Sequence, residues 1–393
     1  MALCVKDNVK VGVAEEADEG VYETFVGADF VQALSDNLAL TPSIEMLERN
    51  IVDGSIGKTT PRVGAKTVAG TVGVEFKASG TEGTAPEAGP LVESAMGTVH
   101  TISAQVTTKA SGNTASVLHI EDADIAKFAV GDIIKILEAG VFYVSPVTVV
   151  TTTGGAATIT LGVAGADAFP NSVVIEKSVT YKVANSGHPS FSVAKYLEDA
   201  VLESAWGCRA TSMELVDFAV GQNPKLNFGF EGMGYNREVS ALSVTPAYDA
   251  GLPPIVLSAV VLQDGVAVCV NNVSLTVANT LAWVTCVSAA SGRDSSRVSM
   301  RDVTGSFNPY REDDSVADYT KWAANTEFSL FLYAYIPSAT AGEFADVVAV
   351  WLPQCVIESI TEGDQNGLLT DEISFRATRG VAGTTDEMSL AFI

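Results

Sequence analysis

Apolar residues alternate with polar ones in short runs over much of this chain, and the period is two. In KLNFGFEGM (225–233), Leu226, Phe228 and Phe230 fall on one side, the signature of a half-buried strand. TVAGTVGVEFKA (67–78) places Val68, Val72, Val74 and Phe76 at near-even spacing. Further strands are predicted in SVTYKVANS (178–186), FSVAKYLED (191–199), RVSMRDVTGSFNP (297–309), FSLFLYAYI (328–336), DVVAVWLPQCVIES (346–359), LTDEISFRATRG (369–380) and EMSLAFI (387–393). The apolar stretch 252–287 reads as consecutive buried strands, and Asp264-Gly265 inside it is a hairpin signal. Helical periodicity is rare. LVESAMG predicts a short helix stopping at Gly97. DDSVADYTKWAANT (313–326) is the clearest helix, with Asp313 or Asp314 as its cap and Val316, Tyr319 and Trp322 at helical spacing.

The order of these elements divides the chain. Residues 1–40 read as an acidic extended arm with a short helix over 29–38. Residues 41–66 read as a long loop because Pro42, Gly54, Gly57, Pro61 and Gly64 crowd into it. From about 101 to 178 the chain turns to Thr, Val, Ile and Gly with tight turns, which predicts a self-contained β-barrel or sandwich. The pattern seen before residue 100 resumes after it, and a Pro-marked linker covers 235–254. The expected organisation is therefore 1–66, an N-terminal arm and long loop; 67–100 with 179–250, a first domain; 101–178, an inserted β module; and 251–393, a second domain. Each half runs strands, loop, short helix, strands, an order that suggests duplication. The fold class is mainly β.

Composition sharpens this. Hydrophobic residues make up 47% and charged residues 18% of the chain. A large core can form, and the sparse charge fits a protein whose faces neighbours cover. The net charge of −24 argues against a grip on nucleic acid or on an anionic membrane. Cys4, Cys208, Cys269, Cys286 and Cys355 show no CxxC spacing and read as small buried hydrophobes. Residues 1–8 lack the basic-then-apolar order of a secretory leader. The stretch 252–287 is too often interrupted by Pro, Asp and Asn to read as a membrane helix.

The search for chemistry yields no catalytic, cofactor-binding or metal-binding residues, and the chain reads as a non-enzyme. His100, His119 and His188 stand apart from one another and from every cysteine, so no zinc cluster is indicated. His188, before Pro189, is expected to be exposed and inert. The pairs Glu15-Glu16, Glu121-Asp122, Asp313-Asp314 and Asp371-Glu372 arise by chance in an acidic chain. Gly80–Gly83 and Gly54-Ser55-Ile56-Gly57-Lys58-Thr59 both miss the full phosphate-loop pattern. Asp122-Ala123-Asp124 lacks the rest of a calcium loop. The aromatic strand with Phe331, Tyr333 and Tyr335 has no basic residues and reads as packing.

Four stretches together resemble the major tail tube protein of long, non-contractile-tailed bacteriophages. They are GSIGKTTPRVGAKTVAGTVGVEFKASGTEGTAPEAGPLVESAMG (54–97), VTYKVANSGHPSFSVAKYLED (179–199), CRATSMELVDFAVGQNPKLNFGFEGM (208–233), and 366–393 with EISFRATRG and DEMSLAFI. Gly80-Thr81-Glu82-Gly83-Thr84-Ala85-Pro86-Glu87 and Gly89-Pro90-Leu91 carry the first match. Residues 101–178 interrupt it, and Gly207-Cys208-Arg209-Ala210 fits the family's small-residue run loosely. The resemblance implies a structural virion protein that self-assembles into stacked rings and forms the conduit for DNA ejection. Two tube-like β-sandwich or barrel domains per chain imply a ring of three copies with pseudo-sixfold symmetry, six being the alternative, and an insert projecting as decoration. The implied partners are further copies of the chain, the tail tip and tail terminator proteins, a tape measure protein in the lumen, and DNA in passage without specific binding; no membrane is involved. The implied location is the phage tail, assembled in the host cytoplasm. The alternative is a virion adhesin that binds receptor through 101–178, for which Phe128, Phe142, Tyr143 and Phe169 are the available aromatics.

Overall fold

A computed structural model describes residues 8–54, 56–138, 141–152, 157–198, 200–289, 291–312, 315–337, 344–380 and 386–393. Strands dominate. The first are β1 (Val9–Glu15), β2 (Phe30–Val31), β3 (Ala33–Leu47) and β4 (Arg62–Glu75), followed by helix α1 (Gly89–Met96) and β5 (Gly97–Ile102). Six strands then form a sheet of their own: β6 (Val106–Thr107), β7 (Val117–His119), β8 (Ile133–Glu138), β9 (Val141–Thr151), β10 (Thr158–Leu161) and β11 (Val174–Ile175). The chain returns through β12 (Ser178–Val183), β13 (Phe191–Leu197), β14 (Val201–Ala219), β15 (Lys225–Gly232) and β16 (Gly234–Val239). The last stretch holds β17 (Ala259–Gln263), β18 (Val266–Ala267), β19 (Val270–Thr285), β20 (Arg293–Pro309), α2 (Ser315–Ala324), β21 (Phe328–Pro337), β22 (Phe344–Gln365), β23 (Leu368–Ala377) and β24 (Ser389–Phe392).

Several sequence expectations change, and the linker expected over 235–254 begins as strand β16. The helix expected over 29–38 is a 3-10 turn at Gly27–Asp29 followed by strand, because this segment finds a partner in β4. The loop expected over 41–66 is strand at both ends: Pro42 and Gly64 lie inside a long hairpin, and the turn formers Gly54, Gly57 and Pro61 mark its tip. The stretch 252–287 is not uniformly buried. In β19, Val273, Leu275 and Val277 face the core, while Ser274 and Ala278 are exposed. Other readings hold. Asp264 and Gly265 both take positive φ in the β17–β18 turn, the backbone that a two-residue hairpin requires. Gly97 ends α1 in the left-handed conformation. The proposed cap at Asp313 or Asp314 lies outside the described residues.

Eight strands run side by side in one antiparallel ladder: β3–β4–β15–β14–β19–β20–β23–β22. β14 and β22 are long enough to serve two sheets. Their first halves join a second layer, β1–β13–β14–β16 for one and β17–β21–β22–β24–β12–β5 for the other. The core lies between layers and is continuous, from Val72 and Phe228 through Met213 and Val277 to Phe307, Phe375 and Val350. Alternation along each strand makes this possible, since every second side chain of β15 is buried.

The pairing order recurs. β3–β4, α1, β13, β14, β15 and β16 are connected as β19–β20, α2, β21, β22, β23 and β24 are, and β1 flanks β13 as β17 flanks β21. The register recurs too. Gly70 lies opposite Phe230, and Gly305 opposite Phe375. The ladder shifts between Ala210 and Ser212 in β14, and between Ile357 and Ser359 in β22.

Candidate assembly surfaces

One face of the eight-stranded ladder packs on the core, so the pleat turns the intervening residues the other way. That outer face carries Ala39 and Thr41 on β3, Ala69 and Thr71 on β4, Asn227 and Gly229 on β15, Ser212 and Glu214 on β14, Ser274 and Thr276 on β19, Thr304 and Ser306 on β20, and Glu372 and Ser374 on β23. It is a small-residue, polar surface with carboxylates at Glu214, Glu231 and Glu372. Lys225 and Arg376 also lie on it, and both are neutralised. Lys225 sits 2.8 Å from Asp217, a contact that holds its pKa above the usual lysine range. Arg376 lies 2.9 Å from Glu358 and 3.4 Å from Asp302.

Both ends of the ladder are open. Among the described residues, β3 is paired on one side only, and so is the 356–365 half of β22. A row of unpaired backbone groups on a long flat strand is adhesive and is normally blunted or covered. Here it adjoins apolar side chains. Ile44 and Met46 of β3 are 49% and 57% exposed. Beside β22, α2 leaves Val316 and Tyr319 67% and 61% exposed. The helix is anchored by its other side: Lys321 lies 2.7 Å from Asp264, Gln263 Nε2 donates to Asp318 at 2.7 Å, and Trp322 Nε1 donates to the Glu358 carbonyl at 3.2 Å.

The glycine-rich segment around 79–91 is a staple. Lys77 and Glu87 are both buried, 3.7 Å apart. Glu87 accepts from the backbone N–H of Gln32 at 2.9 Å and of Asp249 at 3.1 Å, and Asp249 accepts from the N–H of Glu87 at 2.6 Å. Burial pushes the Glu87 carboxyl up, against those hydrogen bonds and Lys77. The segment thus ties α1 to the chain before β3 and to the stretch after β16. The Gly-Lys-Thr at 57–59 sits at the tip of the β3–β4 hairpin, where Lys58 pairs with Glu48 at 3.1 Å.

His188 is buried, contrary to expectation. Its ring nitrogens lie 3.0 Å from the Ser94 carbonyl and 3.1 Å from the Ala184 carbonyl, and burial lowers its pKa, reinforced by Arg301 and Arg209 nearby. Arg209, also buried, donates to the His188 carbonyl, to Ser296 Oγ at 2.9 Å and to Glu19 at 2.8 Å. Arg301 bonds the Ala184 carbonyl and Glu387, both at 2.6 Å. These groups join the first pairing unit to the second. Glu16, which the sequence offers only as half of a chance acidic pair, accepts from Gly20 N–H, Gly207 N–H, Ser190 Oγ and Ser192 Oγ at 2.7–2.8 Å. Its partners lie up to 191 residues away, so no local signal marks it.

The six-stranded sheet has its own core, with Ile120, Phe128, Ile136, Ile159 and Phe169. It is also welded to the second layer: Ile133 and Val144 pack with Phe331, Val347, Trp351 and Ile393. Asp132, fully buried, sits 2.6 Å from Lys182 and 3.0 Å from His100. Of the aromatics considered for an adhesive surface, Phe128 and Phe169 are buried and Tyr143 stacks edge-on against Phe169. Cys208 and Cys355 are buried, Cys286 is half-buried and Cys269 is exposed; Cys4 lies outside the described residues.

Among the described residues, no three His, Cys, Asp or Glu side chains cluster as metal ligands, and no helix is long and apolar enough to cross a membrane. None of the curated proteins matches this chain. A family model described as phage tail tube protein matches residues 6–377. A mainly β chain with a long two-faced sheet, matched by that model over nearly its whole length, belongs to the phage tail tube protein family.

Proposed function

We propose that this chain is the major subunit of a long, non-contractile tail tube, that its copies close into rings which stack, and that the outer face of the eight-stranded ladder lines the conduit through which DNA leaves. The observation that carries this reading is the ladder itself: one polar face, one core face and two open ends, in a chain of the tail tube family. Because the pairing order occurs twice, three copies supply six units. Three times eight strands, at about 4.8 Å spacing and roughly 40° tilt, close to a barrel about 48 Å across between backbones. That leaves room for a duplex.

The domain reading follows the repeat. The first tube-like unit takes in β1 and β3 as well as 67–100 and 179–250, and the second occupies 251–393. The tip of the β3–β4 hairpin is the part that reaches toward an adjacent ring, and 101–178 is a decoration fixed to the outer layer. A carboxylate-bearing lining whose cations are paired repels phosphates, so DNA slides rather than binds. The tape measure protein fills the bore during assembly, the tail tip and terminator proteins close its ends, and assembly takes place in the host cytoplasm.

Negative-stain imaging of the purified chain tests this. Hollow stacked rings, with three copies by the mass of a released ring, are expected. Monomers under all salt and concentration conditions would sink the reading.

A further inference from the structure

A cleft in the first unit has no part in the reading above. On the outer face of the layer β1–β13–β14–β16, Ala194 and Leu202 turn away from the main core and are roofed by Phe25 and Phe30. The roof stops short at one corner. There Tyr22, Trp206, Met233 and Gly234 line an open cavity of about 680 Å³, with Arg293 and Asp294 contributed by the start of β20. That volume falls among small-molecule sites, which hold about 300–1,000 Å³.

Its apolar walls are fixed by close approaches. A Cβ at Gly234 would fall 2.0 Å from Trp206 Cε2, so the indole lies against the bare backbone of β16. Met233 is clamped between Gly20 and Gly207, where a Cβ would come within 2.6 Å and 2.5 Å of its Cε, and both glycines hold positive φ. Tyr22 meets Trp206 edge-on, with centroids 6.1 Å apart. Walls held in this way lose little freedom when a ligand arrives.

The cleft also holds unused donors. The Tyr22 hydroxyl is buried and has no hydrogen-bond partner among the described residues. Burial, then the neighbouring Tyr196 and Glu238, raise its pKa, so it keeps its proton. Arg293 Nη1 is likewise buried without a hydrogen bond. Its guanidinium stacks on Trp283 at 4.1 Å, and Nη1 lies 3.9 Å from Glu231, beyond hydrogen-bond reach. Buried donors left unpaired are costly and rare in native folds. Acceptors stand on the rim, where Asn236, Glu238 and Asp294 are exposed.

Charge decides the class of ligand. Glu19, Glu238 and Asp294 oppose an anion, and Lys66 and Arg293 oppose a bare cation. A neutral ligand with an apolar face and several hydroxyls, each able to donate and to accept, answers both the aromatic walls and the polar rim. We propose that this cleft binds a neutral saccharide, with a pyranose ring against Trp206 and a sugar oxygen accepting from the Tyr22 hydroxyl. The cleft lies on the face of its layer away from the ladder. In a tube it is therefore carried on the outside, once per copy; this placement rests on the tube reading, while the binding itself does not.

Isothermal titration of the full chain with maltotriose and with chitotriose tests the site. Saturable binding of at least one of them is expected. Tyr22→Phe removes only a hydroxyl that the fold leaves unpaired. It should melt no lower than the native chain and bind about tenfold more weakly. Binding of neither sugar, equal binding of a sulfated disaccharide, or full affinity in Tyr22→Phe overturns the site and leaves the tube reading standing. Assembled tubes should bind with the affinity of the single chain, and loss of binding on assembly overturns the outward placement. If the unaltered chain forms no tubes, the tube reading falls, and titration of the single chain still decides the site.

Discussion

The tip of the Phe375 ring occupies the space that a side chain at Gly305 would need: a Cβ built there falls 2.5 Å from Phe375 Cζ. Gly70 stands in the same relation to Phe230, at 2.3 Å. Neither glycine has positive φ, so the requirement is spatial rather than conformational. Gly70→Ala and Gly305→Ala should each destabilise by about 1–3 kcal/mol, the usual range for overpacking a core. A backbone carbonyl crowds each site as well, Ser274 O at 2.5 Å and Ala39 O at 2.7 Å. Denaturant midpoints check this; a pair of unaltered midpoints would mean that both the rings and these neighbouring strands give way freely.

Stability should fall with acid at the joint between the halves. The His188 pKa is below its unfolded value, so the unfolded chain takes up the proton first. Its contribution is fully present above about pH 6.5, the ordinary histidine value, and is lost as pH falls through the lower folded value. A neutral ring can donate to only one of the two carbonyls it faces, and a second proton would meet Arg209 and Arg301. Melting temperature measured from pH 7.5 to pH 5 should drop more steeply for the native chain than for His188→Gln. Parallel curves would remove His188 from the explanation.

Arg209 bridges Glu19, Ser296 and the His188 carbonyl from a buried position. Arg209→Met should cost about 3 kcal/mol, because among the described residues Glu19 keeps only Arg297, at 2.9 Å, as a cation. Arg209→Lys should not restore this, since one ammonium cannot reproduce the spread of a guanidinium fork. Urea denaturation distinguishes these outcomes, and full rescue by lysine would contradict the geometry.

Docking of the six-stranded sheet depends on Asp132. Asp132→Ala removes the partner of Lys182 and His100 and the acceptor for the Ala129 N–H at 2.7 Å. Backbone hydrogen exchange should quicken in β8 and β12 while β14 and β23 stay protected. Equal acceleration everywhere would show that the sheet is not separately anchored.

The proposed lining makes a charge-reversal prediction. Glu214→Lys, Glu231→Lys and Glu372→Lys together should produce assembled tubes that retain duplex DNA at low salt and release it at high salt. No retention at low salt would place these residues away from the bore.

Much of this fold was legible as sequence. Period-two alternation announces β15 and β4 directly, Asp264-Gly265 announces a hairpin, and the spacing of Val316, Tyr319 and Trp322 announces α2. These signals are local: a strand face or a tight turn imposes its pattern within a few residues.

The tertiary structure decided what the local pattern cannot contain. The segment 33–47 has weak strand character and two runs of polar residues, yet it is strand because β4 offers a ladder. His188 looked like a turn residue, and only the return of β14 and β20 encloses it. Glu16 and Glu87 gain their roles from backbone donors distant in the chain. The repeat itself is written in pairing order and register rather than in residue identity. Backbone hydrogen bonds and the volume beneath Phe230 and Phe375 constrain the path of the chain, and many side chains satisfy them equally well.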